Sequence, residues 1–266
     1  QINPKFNYGL DLDGNSYIRY RFRASYKQFL DTGLSIFPDT LEYRFKLNSI
    51  YPTQSILESN FKHIRITQTS GSFANIDFGL SDGVSFIYSN PIELPLYNND
   101  WWVLNLTRET GSLDANSLST YSTTNTYTLT IGNKTQLGIQ YLNSSSITID
   151  GATQSNYNLY GWNTIENITI GNNNLYYPTS ASIQELRMWI GSIPIDNFKD
   201  HILNPIAYSE ISVTGSYNNL IFRCPFGSEL DNVIKSTYTS VHPSQTASFG
   251  DNLFSFSSAV ALIGST

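Results

Sequence analysis

The sequence predicts an all-β chain: an antiparallel β-sandwich of jelly-roll type with one short helix. Three observations predict it. Apolar and polar residues alternate with period two in segment after segment, the signature of strands with one buried face. Asn, Gly, Asp, Ser or Pro punctuates nearly every gap between those segments. Only one stretch carries helical spacing, and no fixed-period repeat points to a propeller or β-helix.

Taken in order, "LDLDGNSYIRY" opens with the apolar pair Leu10 and Leu12, then Asp13-Gly14, then an alternating segment. Asp-x-Asp-Gly resembles half of a calcium loop. However, the twelfth position from Asp11, which an EF-hand fills with a bidentate Glu, is Phe22. Asp-Gly is also favoured turn chemistry between paired strands, and the reading is a hairpin turn with no metal site. "YIRYRFR" sets Ile18, Tyr20 and Phe22 against Arg19, Arg21 and Arg23. "LEYRFKL" sets Leu41, Tyr43, Phe45 and Leu47 on a buried face and Glu42, Arg44 and Lys46 on a wet one. Further strands are expected at 63–67, 75–80, 84–89, 101–108, 126–132, 146–150, 167–171, 182–190 and 219–224. In "PIDNFKDHILNP", Asp196 is placed to cap a helix. Ile195, Phe198, Ile202 and Leu203 then fall at roughly helical spacing, and Pro205 ends it.

Three segments together resemble the laminin G-like, concanavalin A-like domains. "LDLDGNSYIRY" with "DTLEYRFKLN" is similar to the family's opening, "DWWVLNLTRETG" to its central strand, and "SIQELRMWIGSIPIDNFKDHILNP" to its closing strand and helix. The resemblance covers roughly residues 8–205 and implies a two-sheet jelly roll. Beyond it, "NNLIFRCPFGSELDN" and "SVHPSQTASF" resemble sequences that follow such domains in large virion proteins of tailed marine bacteriophages. Residues 1–205 are therefore expected to form the sandwich. Residues 206–266 are expected to form a strand and an extended arm packed on the sandwich or on a neighbouring chain. Phe254 and Phe256 share a face and suit an edge strand.

Composition narrows the functional classes. Charged residues are 14% of the 266 and the net charge is −6, without a Lys/Arg cluster, which argues against nucleic-acid binding. No apolar run reaches a membrane span. The only cysteine, Cys224, excludes an intrachain disulfide and reads as a small buried hydrophobe. The only methionine is Met188, so a processed chain or a segment of a longer one is expected.

Candidate chemistry is sparse. Hydrolases of the resembled family carry a Glu-x-Asp-x-Glu strand, and this chain has none. His63, His201 and His242 stand apart from one another and from carboxylates at metal-ligand spacing, so they read as a strand-face, a helix-end and a loop residue. Glu185 and Arg187 alternate on one strand face as a structural polar pair. Of Trp101 and Trp102, at least one indole belongs in the core, as does Trp189. Tyr157, Tyr160 and Trp162 lie in the polar stretch "SNYNLYGWNT" and are the candidate carbohydrate-binding residues, since flat aromatics beside amides suit sugar faces. The sequons at Asn105, Asn133, Asn143 and Asn167 carry little weight in so Asn-, Ser- and Thr-rich a chain.

The resulting expectation is a non-catalytic module of a virus particle, on its surface or tail, without a cofactor. Its partners are other virion subunits or copies of itself. The alternative is a glycan-binding adhesin or lectin-like module that recognises a host cell surface, and fold alone does not decide between them.

Overall fold

The computed structural model describes residues 9–13, 17–20, 39–59, 62–110, 124–149, 168–171, 178–189, 191–205, 220–224, 254–256 and 261–263. They form an all-β sandwich of two antiparallel sheets with one short helix. The first sheet contains β1 (Gly9–Asp13), β3 (Thr40–Leu47), β9 (Trp102–Thr110) and β10 (Asn125–Thr135). It also contains β11 (Gly138–Ile149), β13 (Ser180–Trp189), β14 (Leu220–Cys224) and β16 (Ala261–Ile263). Its order is β11-β10-β9-β3-β13-β1-β16, with β14 also beside β13.

The second sheet contains β2 (Tyr17–Tyr20), β4 (Thr53–Glu58), β5 (Lys62–Ser70) and β6 (Phe73–Ser81). With them are β7 (Phe86–Tyr88), β8 (Ile92–Leu94), β12 (Ile168–Gly171) and β15 (Phe254–Phe256). Its order is β15-β2-β12-β4-β5-β6-β7, with β8 also beside β6. The late strands β14, β15 and β16 pair with β13, β2 and β1, so the last part of the chain contributes to both sheets.

The predicted alternation is realised where the sheets face each other. Leu41, Tyr43 and Phe45 of β3 and Trp102, Leu104 and Leu106 of β9 meet Ile64 and Ile66 of β5 and Ile76 and Phe78 of β6 in one core. A bulge in β4 aligns Ser55 with Arg65 and Leu57 with Ile64, leaving Ile56 as the extra residue. Both Ile56 and Leu57 are then buried, and the Ile56 carbonyl accepts a 2.9 Å hydrogen bond from the Tyr43 hydroxyl across the sandwich. That bond satisfies a buried backbone group the ladder leaves open.

Three expectations need correction. β1 and β2 belong to different sheets, so Asp13-Gly14 does not join a hairpin: Asp11 and Asp13 pair with Ser182 and Ser180. The helix α1 spans Ile195–Leu203, its N-cap is Pro194 without a side-chain cap bond, and Asp196 lies inside the first turn, where it pairs with Lys199 at 2.8 Å. The outer face of β3 is not uniformly wet either. α1 covers it in part, packing Phe198 and Ile202 over Val103 and Trp189 in a second, smaller cluster.

Close packing of that helix depends on Gly132 of β10. A Cβ there would stand 2.5 Å from Ile202 Cδ1 and 2.9 Å from the Tyr141 carbonyl oxygen. Gly132→Ala is expected to lift the end of α1 and cost about 1–3 kcal/mol. A urea midpoint unchanged from the parent would show that α1 yields without penalty.

Candidate functional site

The outer face of the first sheet, where α1 meets β3 and β13, holds a linked set of charged groups. Arg187 of β13 is fully buried. Its Nη1 donates to Glu42 Oε1 at 2.7 Å, its Nε to Glu185 Oε1 at 3.1 Å, and its Nη2 to the Pro205 carbonyl oxygen. The second oxygen of Glu42 accepts from His201 Nδ1 at 2.7 Å, and the His201 ring stacks on Trp189 with centroids 5.6 Å apart. The register makes this possible: Glu42 faces Arg187 across the β3–β13 ladder, and α1 lowers His201 onto them.

Burial opposes the charge on Glu42, but Arg187 and then His201 outweigh it and hold the carboxyl below its ordinary range. Burial likewise opposes the Arg187 charge, and Glu42 and Glu185 together hold its pKa above the ordinary value. Both Glu42 oxygens are committed and the residue is 2% exposed. These carboxylates neutralise a buried guanidinium; the arrangement offers substrate neither an accessible acid nor a nucleophile.

Beside this network the same face carries a different group of residues. Trp101, just before β9, is half-buried. The Arg44 guanidinium carbon lies 4.9 Å from the Trp101 ring centroid and Lys46 Nζ 5.7 Å from it. Phe45 pairs with Trp102, so one step along the ladder sets Lys46 beside Trp101. Asn133 also pairs with Trp102, which brings Lys134 to the indole's other side. Arg44 donates to Gln184 Oε1, and Lys134 Nζ donates to the Leu203 carbonyl at the end of α1.

The second sheet offers another set. His63 stacks on Phe86 with centroids 4.2 Å apart, and Arg65 lies over the Tyr88 ring at 3.9 Å while holding Asp77 through two 3.0 Å bonds. Glu58, aligned with His63, is 1% exposed, and neither carboxylate oxygen has a hydrogen-bond partner among the described residues. Burial pushes its pKa up to about 7 and that of His63 down to about 4.

Against the sequence, Glu185 and Arg187 are the structural pair expected. His201 is not isolated, since it meets a carboxylate 159 residues away. Trp102 is core, and Trp189 is buried under α1. Asn105 and Asn133 are buried, which rules out glycans there, whereas Asn143 is exposed. Tyr157, Tyr160, Trp162 and His242 lie outside the described residues. Among the described residues no group of three or more His, Cys, Asp or Glu is placed to hold a metal, and no helix is long and apolar enough to cross a membrane.

No protein-family model and no curated protein matches the chain. Solved structures with similarity include mouse laminin α1 chain domains LG4-5, at 12% identity and TM-score 0.38 over 68% of this chain and 40% of that one. Full-length tailspike protein 2 of an Escherichia coli O157:H7 bacteriophage matches at 13% identity and TM-score 0.40 over 65% of this chain and 22% of that one. The enzymatically active domain of bacteriophage CBA120 tailspike protein 2 matches at 12% and 0.39 over 65% and 25%. The chain thus spans well under half of each of these proteins. The fold assignment rests on the strand pairing itself.

Proposed function

We propose that the chain is a non-catalytic structural or interaction module of a virus particle, of phage type, and that it associates with a second copy of itself through the free edge of β11. The resemblance of "NNLIFRCPFGSELDN" and "SVHPSQTASF", beyond residue 205, to sequences of phage virion proteins and the Asn- and Ser-rich composition support the first part of that reading. The β11 edge carries the second.

Proteins normally blunt sheet edges with short strands, charges or proline. Among the described residues β7, β8, β15 and β16 have three residues each and β14 has five, including Arg223. β11 departs from this pattern. It runs for 12 residues without a charge or a proline and, among the described strands, has β10 as its one ladder partner, while its Ser145 hydroxyl donates to the Asn90 carbonyl between β7 and β8 at 2.7 Å. Its bulge lies at Gln140, between Ile139 and Tyr141, so Tyr141–Ile149 keeps an unbroken register. Its hydroxyls already form cross-strand pairs on the outer face, Thr126 with Thr148 at 3.2 Å and Thr128 with Ser146 at 2.9 Å.

A second copy is the fitting occupant because two-fold antiparallel pairing sets each residue against its symmetry mate, and a charged strand would repel itself. A two-fold at Ser145 places Ser144 against Ser146 and Leu142 against Thr148, with no charge in the seam. Sedimentation of the purified protein is expected to show a reversible dimer. Ser144→Lys with Ser146→Lys, both at exposed positions, is expected to give a monomer with an unchanged melting temperature. A parent chain that stays monomeric at every concentration overturns the proposal.

The second reading, a glycan-binding module, has its own observation in the cation-flanked Trp101.

A further inference from the structure

We infer that β15 and β16 form an exchangeable strap, which a second copy of the chain donates to the edge formed by β1 and β2. That edge lies across the sandwich from β11, and the inference does not rest on the pairing proposed there.

The first argument is topology. β16 is the outermost strand of the first sheet and has β1 as its one ladder partner among the described strands, with Gly9 opposite Ile263, Leu10 opposite Leu262 and Asp11 opposite Ala261. β15 is the outermost strand of the second sheet and has β2 in the same role, with Tyr20 opposite Phe254, Arg19 opposite Ser255 and Ile18 opposite Phe256. Both can leave without parting any other ladder among the described strands. Only residues 257–260 separate them, so they act as one unit that closes both sheets on the same side. The shortness that blunts these edges also leaves little pairing to break on release.

The second argument is reach. Residues 225–253 lie between β14 and the strap. A stretch of that length spans at most about 100 Å, and a neighbouring sandwich is well within it. Connections this long are uncommon inside a compact domain and usually serve a function or act as linkers.

The third is chemistry. Residues 252–266 carry no charge, so the strap lacks the charged side chain that keeps a strand from adding to another molecule's edge. Its ladder bonds to β1 and β2 are the same whichever copy supplies it. Exchange therefore replaces each lost pairing with an identical one, which is why swapping of this kind costs little. Another copy is the fitting donor because it carries the same strap in the same register.

Arg19 and Ser255 stand directly opposite each other, a placement close to what a disulfide needs. Arg19→Cys and Ser255→Cys are placed in separate chains produced together in one cell, each with Cys224→Ser to remove the only native thiol. Both chains also carry Ser144→Lys and Ser146→Lys, so that the β11 edge cannot bring them together. After oxidation, a reducible dimer with one copy of each is expected as the main cross-linked species. Both cysteines in a single chain, oxidised at high dilution, are expected to give an internal bond. Cross-linking in the mixture no greater than that of Ser255→Cys chains with one another would show that copies keep their own straps, and overturns the inference. Failure of the doubly substituted chain to form its internal bond would mean that β15 does not lie beside β2, and the inference falls with that pairing.

Discussion

Replacing Arg187 with Met is expected to remove about 3–5 kcal/mol of stability, the largest effect of any single substitution proposed for this chain. Arg187 is fully buried and holds Glu42, Glu185 and the Pro205 carbonyl together. A methionine fills similar space but takes the guanidinium away from Glu185 and leaves Glu42 with His201. The loss comes from carboxylates stranded away from water more than from the attraction forgone. For that reason the triple change Glu42→Met, Glu185→Met and Arg187→Met is expected to recover much of the deficit.

The pH dependence separates the two states. In the parent, the Glu42 carboxyl is held below its ordinary value of 4.5. Its contribution is present above that pH and is lost as pH falls through the folded-state value. In Arg187→Met, burial is opposed by His201 alone. The Glu42 pKa should rise, and stability gained from this group on raising the pH should shrink or reverse. Urea midpoints at neutral and acidic pH, with the m-value checked for constancy, measure both effects. A loss below about 1 kcal/mol at neutral pH would mean that the network is hydrated and behaves as a surface pair.

The same network shows what the sequence conveys and what it withholds. Alternation is a local signal, so β3, β9 and β13 are legible from Leu41-Tyr43-Phe45, Trp102-Leu104-Leu106 and the pattern around Leu186. β4 is not, because the bulge at Ile56 puts two successive residues into the core and breaks the period. Most of β11 escapes for another reason: its Asn-Ser-Ser-Ser centre carries no hydrophobic rhythm. Sheet order is non-local, and so the pairing of Glu42 with Arg187 and His201 cannot be read from spacing. The wet-face reading of Glu42, Arg44 and Lys46 fails at Glu42 for that cause, since Arg187 and the His201 that α1 brings back over β3 take both its oxygens. At Lys46, beyond the helix, the face is half-open. Asp-Gly at 13–14 is sound turn chemistry, but composition does not say whether a turn joins strands of one sheet or crosses to the other.

A second large effect is expected at Glu58 and His63, where two buried groups work in opposite directions over nearly the same pH range. Burial raises the Glu58 carboxyl from 4.5 to about 7. Its contribution to stability is thus complete below 4.5 and is lost as pH rises through 7. For His63 burial comes first and Arg65 repulsion adds to it, against a backbone hydrogen bond at Ser59 and the Asp77 charge. The result lowers it from 6.5 to about 4. Its contribution is complete above 6.5 and is lost as pH falls through 4. Between 4.5 and 6.5 the two slopes nearly cancel, and each single variant uncovers the other. Glu58→Gln keeps the His63 slope, so its stability should rise from about pH 4 to about 6.5. Relative to the parent it should gain about 1–2 kcal/mol near pH 8, allowing for screening by water. His63→Phe preserves the stack on Phe86 and keeps the Glu58 slope. Its stability should fall from about pH 4.5 to about 7, with its own gain over the parent of about 1–2 kcal/mol near pH 4. Comparing variant and parent midpoints at each pH removes the acid dependence that Glu42 and the other carboxylates share. If Glu58→Gln is no more stable than the parent near pH 8, water reaches the carboxylate and it ionises without cost. If instead both variants gain at the same end of the pH range, the opposing signs assigned to the two groups are wrong.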